Sequence, residues 1–577
     1  MKGRGVRSHT RGNKGCGQIL QHGFVILSLG LLFSWVLWSY TCGDRKGDRP
    51  LPRPLLQLHM PRSDGLTNQT PKVNNPKVSP ASAIKDPGFS ADEWDRMLKL
   101  VHWGGPDRQI TTANTSTSPD HSAFVINDLK GSYYVGEELH VTIVAKDFTK
   151  TPKSYGGDFF QAKVYSDKKA SVFGELLDHQ NGTYSARFTL PWAGLASVAV
   201  RLIHSSEAVQ VLRRHRSTYP DSVYFYGFYV GNNPQGARVE ERVVCNIKWE
   251  GVVLKSAQED CCCEYQNAHI GLTWQCRKPQ TLPCSALVYH SMGGYTNHMT
   301  ALEKVLMDSQ HVNRWLKGDS RLIRVMASNA TIGSRESCKP GLPTPIPSGF
   351  YMNNVWTSFV CAARHFAEDD TTQCLKDKHI YIMGDSTSRQ WFDYLIQAVP
   401  TLKRMNLHSE NQVGPLMAVD VQNNIDLHYR SHGLPLRCLK APVVSLHYMS
   451  NEIDDMAGGP HTVIIFNMWA HFTSFPLSYY ANRVSQVRRA VVALLRRAPE
   501  TKVIIKSANT GYKDIYGSDW FSMQLDRILR EAFRGVGVYI LDVWQMTACH
   551  YNTEDIHPAP MIIKNEIDIL LSFICPK

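Results

Sequence analysis

The sequence predicts a two-part chain: an all-β segment followed by an α/β segment built on a parallel sheet. Two patterns carry that expectation. Between about Ser122 and Val230, short runs alternate apolar and polar residues between Gly-rich turns, as half-buried strands do. From His379 onward, short fully apolar runs alternate with stretches of helical period, the pattern of parallel strands joined by crossover helices. A hydrophobic content of 43% over 577 residues is ample for more than one core, and length alone suggests three or four domains.

The N-terminus is basic. Lys2, Arg4, Arg7, Arg11 and Lys14 stand in residues 1–23 with no acid among them. Residues 24–40 are uncharged and rich in Leu, Val, Phe and Trp, near the lower length limit for a membrane span. The upstream positives predict a cytosolic N-terminus, and Trp35, Trp38 and Tyr40 suit an interfacial belt at the far end. This reads as a signal anchor of a type II membrane protein; a cleaved signal peptide is the alternative. Residues 41–115 read as a flexible stem rich in Pro, Asn, Lys and Ser, with a short helix from Asp92 to Val101 capped by Ser90.

Residues 116–232 are expected to form a β-sandwich. Leu139–Ala145, Ser185–Leu190 and Ser197–Ile203 are its clearest strands, and Asn181-Gly182-Thr183-Tyr184 resembles the turn of filamin- and immunoglobulin-like repeats. Gly156-Gly157-Asp158 reads as a turn rather than a calcium loop. Arg213-Arg214-His215-Arg216 reads as a charged strand edge, with a processing site as the alternative. Residues 233–300 form a Cys-rich connector. There Cys261-Cys262-Cys263 with His269 and Cys276 fits no standard zinc spacing, so disulfides rather than a metal are expected. Of 14 Cys, 12 lie from Cys245 onward, an even set allowing up to about six bridges in an oxidising compartment. Sequons at Asn68, Asn114, Asn181 and Asn329 agree with that compartment.

Residues 301–577 carry the α/β pattern. His379–Met383 is a buried strand and Ser388–Ile396 a helix, so Gly384-Asp385-Ser386 is a strand-to-helix turn. A serine there sits at free N–H groups and the positive end of a helix, where an oxyanion can be stabilised, although Gly-Asp-Ser is equally good cap chemistry. Thr462–Phe466, Val503–Ile505 and Val536–Leu541 follow as strands; Arg483–Arg497, Asp519–Arg534 and Met561–Phe573 follow as helices. Ser386, Asn467 and Asp542 all fall just beyond strand ends, where sites gather in such sheets. Glu554-Asp555-Ile556-His557 offers a base for Ser386 with an acid beside it. His432 and His471 read as structural or substrate contacts.

These blocks resemble a known family. Gly384-Asp385-Ser386, Ile465–Phe472 around Asn467, and His557-Pro558 are similar to the nucleophile, oxyanion and histidine blocks of PC-esterase domains, a branch of the SGNH/GDSL superfamily; Tyr155–Phe159 lies in a segment that resembles neurexophilin. Together they resemble the neurexophilin and PC-esterase domain (NXPE) family. The resemblance implies a Ser386–His557 site, with Glu554, Asp555 or Asp542 as orienting acid and Asn467 and Gly433 at the oxyanion. The position three before the histidine, usually Asp, is Glu554 here. It further implies a serine-dependent glycan O-acetyltransferase or esterase of the Golgi, sialic acid among its acceptors and acetyl-CoA its donor, needing no bound metal or cofactor. A secreted or anchored, non-catalytic neurexophilin-like binding protein is the alternative. Net charge is +12, of which the tail supplies five, and no basic stripe interleaves with aromatics; the partners expected are a glycan or glycoprotein and the membrane, not nucleic acid.

Overall fold

The computed structural model describes residues 87–576, apart from 106–108, 168, 253, 255–260, 330–331, 335, 410–411 and 552–553. The expected tail, anchor, most of the stem and the sequon at Asn68 lie outside those residues. Among the described residues no helix is long and apolar enough to cross a membrane.

The described residues form a mixed α/β structure with four sheets. Two of them face each other in the N-terminal part. One holds Ala123–Ile126, Glu138–Val144, Thr183–Thr189 and Glu175–Asp178; the other is centred on Phe159–Ser166 and Gly194–His204. Leu139, Val141 and Ile143 alternate inward from the first sheet and meet Val164, Val172 and Val200 of the second in one core. The predicted sandwich strands are present. The sequons at Asn114, Asn181 and Asn329 are exposed.

The domain limits need correction. Gly349–Met352 and Val355–Ser358, expected in the α/β part, extend the second sandwich sheet by pairing with Ala170–Phe173. The segment expected as a Cys-rich connector is a sheet: Val223–Asn232, Arg238–Ile247, Cys262–Gln266, Thr273–Arg277 and Leu287–Tyr295 pair antiparallel. Its inner face joins the main core through Phe225, Tyr229, Ile247 and Trp274. Cys245–Cys276 and Cys263–Cys284 brace it, and Cys261–Cys262 is also bridged. With Cys338–Cys361 and Cys374–Cys575 the described residues hold five disulfides, leaving Cys438 and Cys549 as the thiols among them. Among the described residues no His, Cys, Asp and Glu group could hold a metal.

Two further readings fail. Arg213–Arg216 is no strand edge: Ser206–Thr218 is a helix capped by Ser205, with Val209, Val211, Leu212 and His215 buried. The helix expected from Asp92 to Val101 with Ser90 as cap is present, as Ala91–Val101 with a Ser90–Glu93 capping box; the stem reading fails there because Met97 and Val101 enter the main core.

The fourth sheet carries the site. Its order is 403–404, 416–420, 425–431, 379–384, 462–466, 502–506, 539–541. The last five are parallel. Thr462–Phe466 is buried at every residue because both faces are covered. Ile464 and Phe466 pack towards Leu477–Arg497 and Asp519–Ala532; Val463 and Ile465 pack towards Ser386–Ala398 and Pro560–Ile574. Cys374–Cys575 closes a separation of 201 residues and ties the final helix down. Replacing both cysteines by Ala is expected to cost about 2–5 kcal/mol, read as a lower denaturant midpoint in urea unfolding.

Candidate active site

Gly384 ends the central strand at φ +152°. A Cβ there would stand 1.8 Å from Asn467 Oδ1, so only glycine lets the turn close on the neighbouring strand end. Asp385 follows as N-cap of the helix Ser386–Ala398. It is buried, and its Oδ1 accepts from the Thr387 N–H at 2.9 Å, the Thr387 hydroxyl at 2.7 Å and Asn467 Nδ2 at 2.9 Å. Its own N–H donates to Asn467 Oδ1 at 2.9 Å. Burial pushes the Asp385 carboxyl up, but the neighbouring imidazole of His471, these hydrogen bonds and the imidazole of His432 together hold it below its usual range.

Ser386 opens that helix half-buried, and its Oγ lies 2.7 Å from His557 Nε2, across 171 residues of sequence. This contact joins the two blocks that the motif reading set far apart. Desolvation lowers the pKa of the His557 imidazole, aided by Arg389 and Lys506, while Asp385 and Asp555 oppose the shift. The ring is therefore neutral at physiological pH and able to take a proton from the serine.

The His557 loop is held from below. The carbonyl of Ile556 accepts from Asn509 Nδ2 at 2.8 Å, and Asn509 Oδ1 accepts from Lys506 Nζ at 2.5 Å. Lys506 is fully buried, 4.0 Å from Glu566 on the final helix, and Glu566 accepts from Trp391 Nε1 at 2.6 Å. Trp391 belongs to the Ser386 helix. A buried polar chain thus runs from the serine's helix to the residue before the histidine. Gly511 adds a close approach: at φ +142°, its Cβ would lie 2.3 Å from the Ile556 nitrogen.

The three candidate acids divide. Asp555 Oδ1 accepts from the backbone N–H of His557 at 2.9 Å, so it shapes the loop rather than the ring. Glu554 is turned away, pairing with Arg201 of the sandwich and with Lys513 at 3.1 Å. Asp542 pairs with Arg530 at 3.2 Å and accepts from Gln545 at 2.9 Å. Neither Glu554 nor Asp542 meets the His557 ring. Both had been expected as orienting acids; a cation beside each is the stronger partner for a half-buried carboxylate.

The oxyanion assignment changes too. Both Asn467 amide protons are spent, one on Asp385 Oδ1 and one on Thr387 Oγ1 at 2.7 Å, so this side chain braces the turn. Gly433 follows the strand whose Ser431 pairs with Gly384. At φ +80° it packs against the His447 carbonyl and Tyr448, the close approach a turn glycine serves. The Ser386 N–H takes no part in this network and remains the donor at the helix start. His432 and His471 are a buried pair, Nε2 to Nδ1 2.9 Å, with the His432 carbonyl held by Arg483 at 2.8 Å, which fits the structural reading. Sequence reading had Gly384-Asp385-Ser386 as cap chemistry, and Asp385 is that N-cap; it missed Asn509, Gly511 and Lys506, which depend on which loops touch.

Residues 109–314 match the neurexophilin family model, and residues 356–575 match that of the NXPE family member 4-like C-terminal domain. The chain belongs to the NXPE family. In this NXPE chain the second match spans both Ser386 and His557. Among solved structures, FdeC, an Escherichia coli adhesin, is similar at 12% identity over 36% of this chain and 65% of that one, with TM-score 0.13. Invasin, a bacterial integrin-binding protein, is similar at 11% identity over 57% and 60%, also with TM-score 0.13. This NXPE chain covers less than two thirds of either structure, and likenesses this loose carry no argument.

Two measurements test the site. Gly511→Ala is expected to displace the His557 loop and slow fluorophosphonate labelling of Ser386 about 100-fold, with the far-UV circular dichroism spectrum retained. The second concerns pH. Burial lowers the imidazole of His471 to about 4 and that of His432 well below the ordinary 6.5. The unfolded chain takes up those protons near pH 6.5 while the folded chain resists them. Stability is then full above about pH 6.5 and falls as pH drops towards 4, each histidine contributing up to about 1.4 kcal/mol per pH unit. Urea midpoints measured across that range should follow this slope, and His471→Gln should flatten it.

Proposed function

We propose that this chain is a secretory-pathway serine O-acyltransferase of the SGNH type that acetylates glycan hydroxyls, sialic acid among them, through an acyl-enzyme on Ser386. The contact of Ser386 Oγ with His557 Nε2 at the C-terminal end of a parallel sheet carries the reading. The Ser386 oxygen attacks the acyl carbonyl while its proton passes to His557 Nε2, and the developing oxyanion meets the Ser386 N–H. The leaving group departs with that proton. A sugar hydroxyl then gives its proton to His557 and attacks the acyl carbon, and His557 returns that proton to Ser386 Oγ as the acyl–serine bond breaks. Water in place of the sugar makes the same site an esterase. Acetyl-CoA as donor and a Golgi membrane anchor belong to this proposal; the five disulfides suit the same oxidising compartment.

A second reading has its own support. Among the described residues no carboxylate engages the second nitrogen of the His557 ring, and Asn467 donates to Asp385 and Thr387 rather than outward. Those features favour a binding protein, neurexophilin-like, that keeps the fold without the turnover. One comparison separates the two. Wild type and Ser386→Ala are expressed in cells, and released glycans are weighed by mass spectrometry. Added acetyl mass that disappears with Ser386→Ala is the expected result; identical profiles sink the enzyme reading.

A further inference from the structure

Arg389 stands three residues after Ser386 on the helix Ser386–Ala398. Residues three apart share a helix face, and each Cα–Cβ bond tilts towards the N-terminus. The Arg389 side chain therefore starts on the face that presents the serine. Its charge is felt at the His557 ring, where it works against protonation. The acyl-transfer steps give this cation no part.

Among the described residues its engagements are few. Nη1 donates to the Gln412 carbonyl at 3.1 Å. Nε lies 3.8 Å from Asp393 Oδ2, too far for a hydrogen bond. Arg404 Nη1 lies 3.9 Å from the other oxygen of Asp393. Two guanidiniums thus share one carboxylate that bonds neither, which leaves one positive charge in excess. Arg404 keeps 54% of its side-chain surface in water, Arg389 only 22%. A partly desolvated guanidinium with N–H groups to spare attracts an oxyanion more strongly than a surface one. The carboxylates on either side of the serine are taken. Asp385 is buried in four bonds, from the Thr387 N–H and hydroxyl, Asn467 and the Ala470 N–H. Asp555 accepts the His557 N–H. Neither pairs with Arg389.

We propose that Arg389 is an anion subsite beside Ser386, whose spare N–H groups receive a carboxylate or phosphate of the substrate and so set its reacting end at the serine. The assignment rests on Ser386 as the acyl carrier. The carboxylate of an acidic sugar acceptor and the phosphates of a coenzyme A donor offer the same chemistry, and a planar guanidinium fork suits both.

Calorimetric titration of the full chain tests this without requiring turnover. Two matched pairs serve as probes: the methyl glycoside of N-acetylneuraminic acid against its methyl ester, and coenzyme A against pantetheine. Tighter binding of the free acid than of its ester places an acceptor carboxylate at Arg389; tighter binding of coenzyme A than of pantetheine places a donor phosphate there. For the preferred anion, Arg389→Gln should weaken binding at least about tenfold. Arg389→Lys, which keeps the charge but loses the fork, should fall between. Asp393→Asn, which removes the competing carboxylate, should tighten it about threefold. Thermal unfolding identifies the folded variants. Anions that bind no better than their neutral partners, or a folded Arg389→Gln that binds like wild type, overturn the subsite. Where Arg389→Gln does not fold, Asp393→Asn decides, and affinity unchanged or weaker there overturns it. An anion held by Arg389 in a chain whose cellular glycans ignore Ser386→Ala leaves the subsite standing and sinks the enzyme reading alone.

Discussion

Lys506 and Glu566 are buried charges facing each other beneath the candidate site, and the site's geometry rests on them. Each is pushed towards its neutral form by burial and towards its charged form by the other. Such a pair is a weak source of net stability, but removing one partner strands the other and typically costs about 3–5 kcal/mol. Its use here is directional. Glu566 fixes Trp391 and hence the Ser386 helix, and Lys506 fixes Asn509 and hence the His557 loop. Two loops with no sequence relation are indexed to one buried point.

The sandwich is part of this arrangement rather than an appendage. Arg201 stands on the strand Gly194–His204, stacks at 4.9 Å over Trp315 and reaches Glu554. Lys513 reaches the same carboxylate, and Asp519, which receives the N–H groups of Gly511 and Tyr512, pairs with Lys513. The carboxylate that the motif suggested for chemistry is therefore the point where the N-terminal part grips the histidine loop.

Much of the α/β part was legible because its strands are short, fully apolar and separated by helical periods. Thr462–Phe466 and the helix starting near Ser386 followed directly from pattern. The meeting of Ser386 with His557 was legible only as an inference from paired motifs, since no local rule places residues 171 apart. The Cys-rich sheet was not legible as a whole: Arg238–Ile247, Cys262–Gln266 and Thr273–Arg277 carry Cys and charged residues in place of clean apolar alternation, and disulfide bridges supply constraint there. Arg213–Arg216 misled because four consecutive basic residues read as a solvated edge, whereas His215 is buried on the helix and Arg216 lies over Trp520 and Phe521, contacts that no local pattern announces. The acid and amide roles failed for one shared reason. Sequence shows which polar groups lie near a motif, but a nearer cation or N–H from elsewhere in the chain claims them first.

The serine and its imidazole are also separated in time. During synthesis, Ser386 is complete and its helix can form well before His557 exists, and six more strands must join the sheet before the histidine loop has a floor to rest on. A nascent chain therefore exposes a plain surface hydroxyl. The pairing of the two groups therefore comes into being only once the last layer of the sheet has docked.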